Sequence, residues 1–181
     1  MLKQVPPKIF FFITCMVLIL LPVTARMSTP YVENEEYTLK ATFLYRFTDY
    51  IEWKTDHSDF FEIAILGQSP ITAPLIEIAK VKKAKNKKIS ITEYSAMEAI
   101  DFCHILFVPF DCTVPIETIL ARFEGKPVFI VTEKEGYGKK GAHLNFTVVE
   151  NRIRFEINTK AISRSNLTIS AFLLQHAIIV E

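Results

Sequence analysis

The spacing of apolar positions changes along the chain, and each change marks an element. Leu39, Phe43, Phe47 and Tyr50 recur at helical spacing. Tyr37, Ala41, Leu44 and Ile51 form a second row beside them, which leaves a thin polar stripe of Glu35, Thr38, Thr42, Arg46 and Asp49. This predicts a helix starting near Asn34, which can cap it with Glu35 and Glu36 in the first turn, and ending near Trp53. Phe60–Leu66 (FFEIAIL) is a β-rich run closed by Gly67, and Ser69-Pro70 opens a helix through Ile78. A strand over Lys88–Thr92 and a short helix over Ala96–Ile100 follow. Cys103–Pro109 (CHILFVP) and Pro127–Thr132 (PVFIVT) are the nearly continuous apolar runs of buried parallel strands, with a helix over Pro115–Phe123 between them. Leu144–Val149 and Arg152–Asn158 are short strands joined by Glu150-Asn151, close to a hairpin signature. Helices over Thr159–Ser165 and Ser170–Ile179 end the chain. The expected fold class is α/β, a mainly parallel sheet with helices on both faces and a C-terminal antiparallel hairpin. Its strands and helices give ample cover for Phe43, Leu44, Phe47 and Ile51. Most of the first helix is therefore assigned to the core, and its polar stripe and Trp53 are left for any partner.

The first residues follow a different pattern. Lys3 and Lys8 precede the apolar run Ile9–Leu21, and Val23-Thr24-Ala25 is a small-residue cleavage site, so residues 1–25 read as a signal peptide and residues 26–181 as a single domain. The run is shorter than the ~20 residues a spanning helix needs and is stopped by Pro22, so export with no stable membrane insertion after cleavage is expected. Cys15 sits in mid-run, away from the position of a lipid-anchored start. Loss of Lys3 and Lys8 takes the formal charge from +1 to about −1, with no global pull toward nucleic acid. Cys103 and Cys112 then remain. They flank one strand that, when extended, spans roughly 30 Å, against the ~6 Å that a disulfide requires, so two thiols are expected.

Candidate chemistry is sparse. Gly136-Tyr-Gly138-Lys-Lys-Gly141 matches G-x-G-x-x-G literally, but it runs into a strand instead of opening a helix, so no dinucleotide or other cofactor is expected. His57, His104, His143 and His176 have no metal-ligand spacing, and neighbours Cys103 and His104 point to opposite faces of a strand. No catalytic residues are assigned and no enzyme is expected. Six lysines between residues 80 and 88 form either a solvated helix end and loop or a surface for an anionic partner such as lipid headgroups. In the last hairpin, Ile153, Phe155 and Ile157 alternate with Arg152, Arg154, Glu156 and Asn158. The charged face is either ordinary solvated surface or a docking strip, which would be flanked by Leu144 and Ile162.

Three stretches together, LKATFLYRFTDYIEW (Leu39–Trp53), CHILFV (Cys103–Val108) and GYGKKGAHLNFTVVENRIRFEINTKAISRSNLTISAFLL (Gly136–Leu174), make the chain resemble the YfiR-like family of exported bacterial proteins. The resemblance implies a periplasmic α/β domain without catalysis of its own. It also implies a partner in the inner membrane, a diguanylate cyclase or sensor kinase: the family namesake binds the periplasmic portion of a diguanylate cyclase, restrains it, and so lowers cyclic di-GMP, adhesion and biofilm formation. A homodimer is left open. Some relatives pair a cysteine at the position of Cys103 with one on the first strand. Ala64 stands there in this chain, so that bridge cannot form; Lys54 likewise stands where relatives often carry proline. The alternative function is a small-ligand or cell-wall binding module, with a crevice near Gly67–Pro70 and Gly136–Gly141.

Overall fold

A computed structural model describes residues 30–54 and 58–181; the expected signal peptide and His57 lie outside the described residues. Helix α1 (Pro30–Phe47) leads into β1 (Ile51–Trp53) and β2 (Phe60–Leu66). Then come α2 (Thr72–Val81), the short hairpin β3 (Lys83–Ala84) and β4 (Lys87–Tyr94), a 3₁₀ turn at Met97–Ala99, and β5 (Ile105–Val108). Helix α3 (Ile116–Arg122), β6 (Phe129–Thr132), β7 (Leu144–Val149) and β8 (Arg152–Asn158) follow. The chain finishes with α4 (Thr159–Ser163), β9 (Leu167–Ile169), α5 (Ala171–His176) and β10 (Ile178–Val180).

Eight strands form one sheet in the order β10-β8-β7-β6-β5-β2-β4-β3, and β1 pairs with β9 in a separate two-stranded ladder. The pairs β2/β4, β2/β5, β5/β6, β6/β7 and β8/β10 are parallel, whereas β7/β8 and β3/β4 are antiparallel hairpins. The central strands β2, β5 and β6 are largely apolar because both faces are covered, Glu62 and Thr132 being the exceptions. Phe61, Ile63 and Ile65 of β2, Ile105 and Phe107 of β5, and Phe129 and Val131 of β6 point to the core shared with α1 and α2. Ala64, Leu66, Leu106, Val108 and Ile130 point to a second core with Ile116 and Ile119 of α3. Helix α1 lays Phe43 and Phe47 over Phe146 and Phe155 of the last hairpin, with ring centroids 5.0 to 6.5 Å apart.

The structure corrects four of the expected helix ends. Helix α1 begins a turn before Asn34, at Pro30, whose fixed φ suits a first helical position. It ends at Phe47, not Trp53. Thr48–Tyr50 turn the chain, with Thr48 Oγ1 donating to the Tyr45 carbonyl at 2.6 Å, and Ile51–Trp53 go extended because β9 supplies a ladder partner. The last helix stops at His176, after which the β-branched run Ile178-Ile179-Val180 forms a strand against β8. The expected helix opening at Ser69 starts properly at Thr72, while Ser69 Oγ accepts from the Ile71 amide at 3.3 Å within the preceding turn.

Candidate functional site

The last hairpin is built around Glu150 and Asn151, both left-handed (φ 49° and 59°), the conformation a two-residue hairpin loop with matching twist demands. The register pairs Leu144 with Ile157, Phe146 with Phe155 and Val148 with Ile153 on one face. On the other, Asn145 faces Glu156, Thr147 faces Arg154 and Val149 faces Arg152. The two phenylalanines are sealed by α1. One step further out this cover ends, leaving Val148 59% exposed and Ile153 half-buried, with Val149, Arg152 and Arg154 exposed at the tip.

The five residues expected to face a partner therefore separate. Arg152 and Arg154 are on the surface as expected. Leu144 and Ile162 are correction points: both are buried in the core and cannot flank a surface strip, since the inward face of β7 and the underside of α4 close over them. Glu156 is half-buried and engaged. It accepts from Asn145 Nδ2 at 2.9 Å, and Asn145 Oδ1 accepts in turn from Thr132 Oγ1 at 2.7 Å, so a polar ladder runs across β6, β7 and β8. A Cβ on Gly138 would stand 2.6 Å from Glu156 Oε2, so the glycine is what lets the loop after β6 lie against this carboxylate. Asn158 completes the arrangement. Its Nδ2 donates to the Gly138 carbonyl at 2.9 Å, and its Oδ1 caps α4 by accepting from the Ala161 amide at 2.8 Å. The Gly136–Gly141 segment thus anchors the hairpin and runs into β7, as its failure to open a helix predicted.

A second polar cluster was missed from the sequence. Lys40 is buried on α1, with Nζ 2.6 Å from Glu133 Oε2 and 2.6 Å from Glu36 Oε1. Glu133, just past the end of β6, has a side chain only 2% exposed and also accepts from Tyr37 Oη and the Phe110 amide, each at 3.1 Å. The signal was present: Lys40 lies between Tyr37 and Leu44 in the apolar row of the helix, and a charge in such a row requires a buried partner. Trp53 is likewise held inward, its indole N–H donating to the His104 carbonyl at 3.2 Å and its ring edge-on to Phe61.

His104 and His143 are built into the sheet. His104 Nδ1 accepts from the Glu62 amide at 2.9 Å, and His143 Nδ1 accepts from the Ile130 amide at 3.0 Å, each standing in for a backbone carbonyl. Burial pushes the His143 ring down to about 4, against a smaller opposing pull from a hydrogen bond with Ala161. Burial, with Glu62 nearby, pushes the Cys103 thiol up to about 12, and neither Cys103 nor Cys112 is in a disulfide. Among the described residues no cluster of three His, Cys, Asp or Glu could hold a metal ion.

A cavity of about 280 Å³ opens between α3 and α4, lined by Leu120, Phe123, Ile130, Lys140, His143 and Arg164 among others. Of the two loops expected to form one crevice, the second alone reaches it, through Lys140 and Gly141.

Residues 37–178 match the family model described as YfiR/HmsC-like. The chain belongs to the YfiR/HmsC-like family. No curated protein gives a significant match. The YfiR/HmsC-like proteins are periplasmic and regulatory, without catalysis of their own. Within the matched span several residues hold this fold: Lys40, Phe43 and Leu44 of α1, Asn145 and Phe146 of β7, Glu156 and Asn158 of β8, and Ser170, whose Oγ caps α5 by accepting from the Leu173 amide at 3.3 Å. Among the described residues no helix is long and apolar enough to cross a membrane.

Proposed function

We propose that this chain is a non-catalytic periplasmic regulator that binds and inhibits the periplasmic portion of an inner-membrane signalling enzyme of the diguanylate cyclase type, lowering cyclic di-GMP. The family match over residues 37–178 carries this reading. The hairpin tip is the proposed contact, because Arg152 and Arg154 stand exposed on one face with Val149 while Val148 adds exposed apolar area on the other, and arginine is enriched at energetically important interface centres. Inhibition requires only that the chain prefer the inactive form of the enzyme. A preference of ~2 kcal/mol changes the active-to-inactive ratio about 30-fold.

Deleting the gene is expected to raise intracellular cyclic di-GMP, and an unchanged level across envelope stresses would defeat the proposal. At the site, Arg152→Glu with Arg154→Glu is expected to weaken capture of the cyclase's periplasmic segment by about tenfold or more while the thermal midpoint stays unchanged. Glu156→Lys is not a clean probe, since it breaks the Asn145 ladder and presses on Gly138. The cavity beside Lys140 and Arg164 supports a second reading, a small-ligand module feeding another envelope sensor.

A further inference from the structure

The opposite edge of the sheet carries a feature that partner binding at the hairpin tip does not use. Strand β3, the edge strand, turns through Lys85 and Asn86 (φ 50° and 65°) into β4, and the register sets Lys83 beside Lys88 and Lys88 beside Phe60 of β2. Phe60, Lys88 and Lys83 thus form one cross-strand row on one face, with Lys82 preceding it and Lys85 at the turn. Lys82, Lys83, Lys85 and Lys88 make no ion pair among the described residues; Lys80 pairs with Glu77. Among the described residues the acidic ones on or beside β2 are Asp59 and Glu62, fewer than the lysines of the row and its turn. Exposed apolar groups occur on both faces of this end of the sheet: Phe60, in the lysine row, is 46% exposed, and Val81, at the end of α2, which covers the other face, is 77% exposed.

Lysines on an edge strand are a usual guard against strand-to-strand aggregation. That role explains Lys82 and Lys83 but not the uncovered valine and phenylalanine beside them. Nor does the cluster suit an acidic protein surface particularly well. Residues 80–88 contain six lysines and no arginine, so the planar fork that grips carboxylates in pairs is missing, and what remains is a set of flexible point charges at a sheet rim that also exposes Phe60 and Val81. Flexible cations flanking shallow apolar groups are what a headgroup layer accommodates.

We propose that the β3–β4 edge is a docking surface for an anionic lipid bilayer, with Lys82, Lys83, Lys85 and Lys88 on the headgroups and Val81 and Phe60 at the level of the acyl boundary. The topology makes this compatible with a partner held elsewhere. The lysine turn sits at the N-terminal end of the parallel strands on one sheet edge, whereas the Glu150–Asn151 turn lies at their C-terminal end near the other. A chain resting on lipid through the first presents the second away from the bilayer. The inference is independent of which protein is regulated.

The test uses residues 26–181 in co-sedimentation with vesicles of phosphatidylcholine alone or containing phosphatidylglycerol, in low and high salt. Binding is expected only with the anionic vesicles and only in low salt. Lys83→Gln/Lys85→Gln/Lys88→Gln is expected to lower the partition coefficient about 100-fold, at roughly fivefold per lysine, while Arg152→Gln/Arg154→Gln leaves it nearly unchanged. Should the triple variant fail to fold by circular dichroism, Lys82→Gln/Lys85→Gln, at two exposed positions, is expected to lower it about 25-fold. Equal binding to neutral vesicles, undiminished binding by a folded variant, or no binding by the unaltered chain to anionic vesicles in low salt overturns the proposal, the last pointing to an acidic protein surface as the occupant.

Discussion

Among single residues, Lys40 and Glu133 carry the largest electrostatic stake. Their side chains are buried and meet at 2.6 Å; Lys40 keeps Glu36 as a second partner, whereas removing Lys40 strands the Glu133 carboxylate away from water. Lys40→Met is expected to cost about 3 kcal/mol in urea denaturation, whereas Lys40→Met combined with Glu133→Leu should cost less than Lys40→Met alone, because the pair leaves together. A double variant as damaging as the sum of the two singles would show that they are not coupled. His143 makes a pH prediction of the opposite kind. The fold holds the neutral ring, whose Nδ1 must be bare to accept from Ile130, so protonation is resisted down to about pH 4 against 6.5 in the unfolded chain. Its contribution is complete above about pH 6.5 and is lost as pH falls toward 4, about 3 kcal/mol in all. Urea midpoints from pH 7 to 4 should follow that loss, and His143→Asn, which retains an acceptor without a titrating proton, should flatten this part of the profile. Neither residue announced its role plainly. His143 has no spacing that marks it, since the amide it receives belongs to a strand set beside it only by the sheet order.

At the scale of elements, the two tight hairpins each place two non-glycine residues at positive φ, and the first of each, Lys85 and Glu150, is not the asparagine or glycine favoured there. Glu150 lacks the local hydrogen bonding that makes the left-handed region tolerable for asparagine. Glu150→Asn is therefore expected to stabilise the domain by roughly 0.5 to 1 kcal/mol, raising the thermal midpoint by a few degrees without altering partner capture. A fall in the midpoint would mean that Glu150 makes contacts that outweigh its backbone conformation. The six inner strands of the large sheet were the most legible elements, whereas β1, β3, β9 and β10 were missed. The hairpin bounds Leu144–Val149 and Arg152–Asn158 follow from alternation and turn residues alone. Helix ends were less legible for a physical reason. Tyr50 and Ile51 continue the helical spacing of α1, but β9 offers hydrogen bonds to Ile51–Trp53, and that partner lies more than a hundred residues away in sequence. The same competition turned Ile178–Val180 from helix into strand, with three successive β-branched residues as the clue.

For the whole molecule, the α/β class and the two-faced covering of the sheet were readable because CHILFVP and PVFIVT have no polar face to offer water. The candidate surface was only partly readable. Alternation along β8 separates inward from outward side chains, which fixed Arg152 and Arg154 as exposed, but it says nothing of what the outward side chains meet. Glu156 meets Asn145 and the Gly138 loop, and Leu144 and Ile162 are enclosed by elements whose placement depends on the full strand order. The Lys40–Glu133 pair joins residues separated by 93 positions, and α1 covers a hairpin built from almost the end of the chain. Contacts so distant in sequence are entropically late to form and give a high contact order. A chain emerging from its N-terminus cannot bury Phe43 and Phe47 on Phe146 and Phe155 until nearly all of it has been made. The first helix therefore gains its full cover only when the segment that ends the domain arrives.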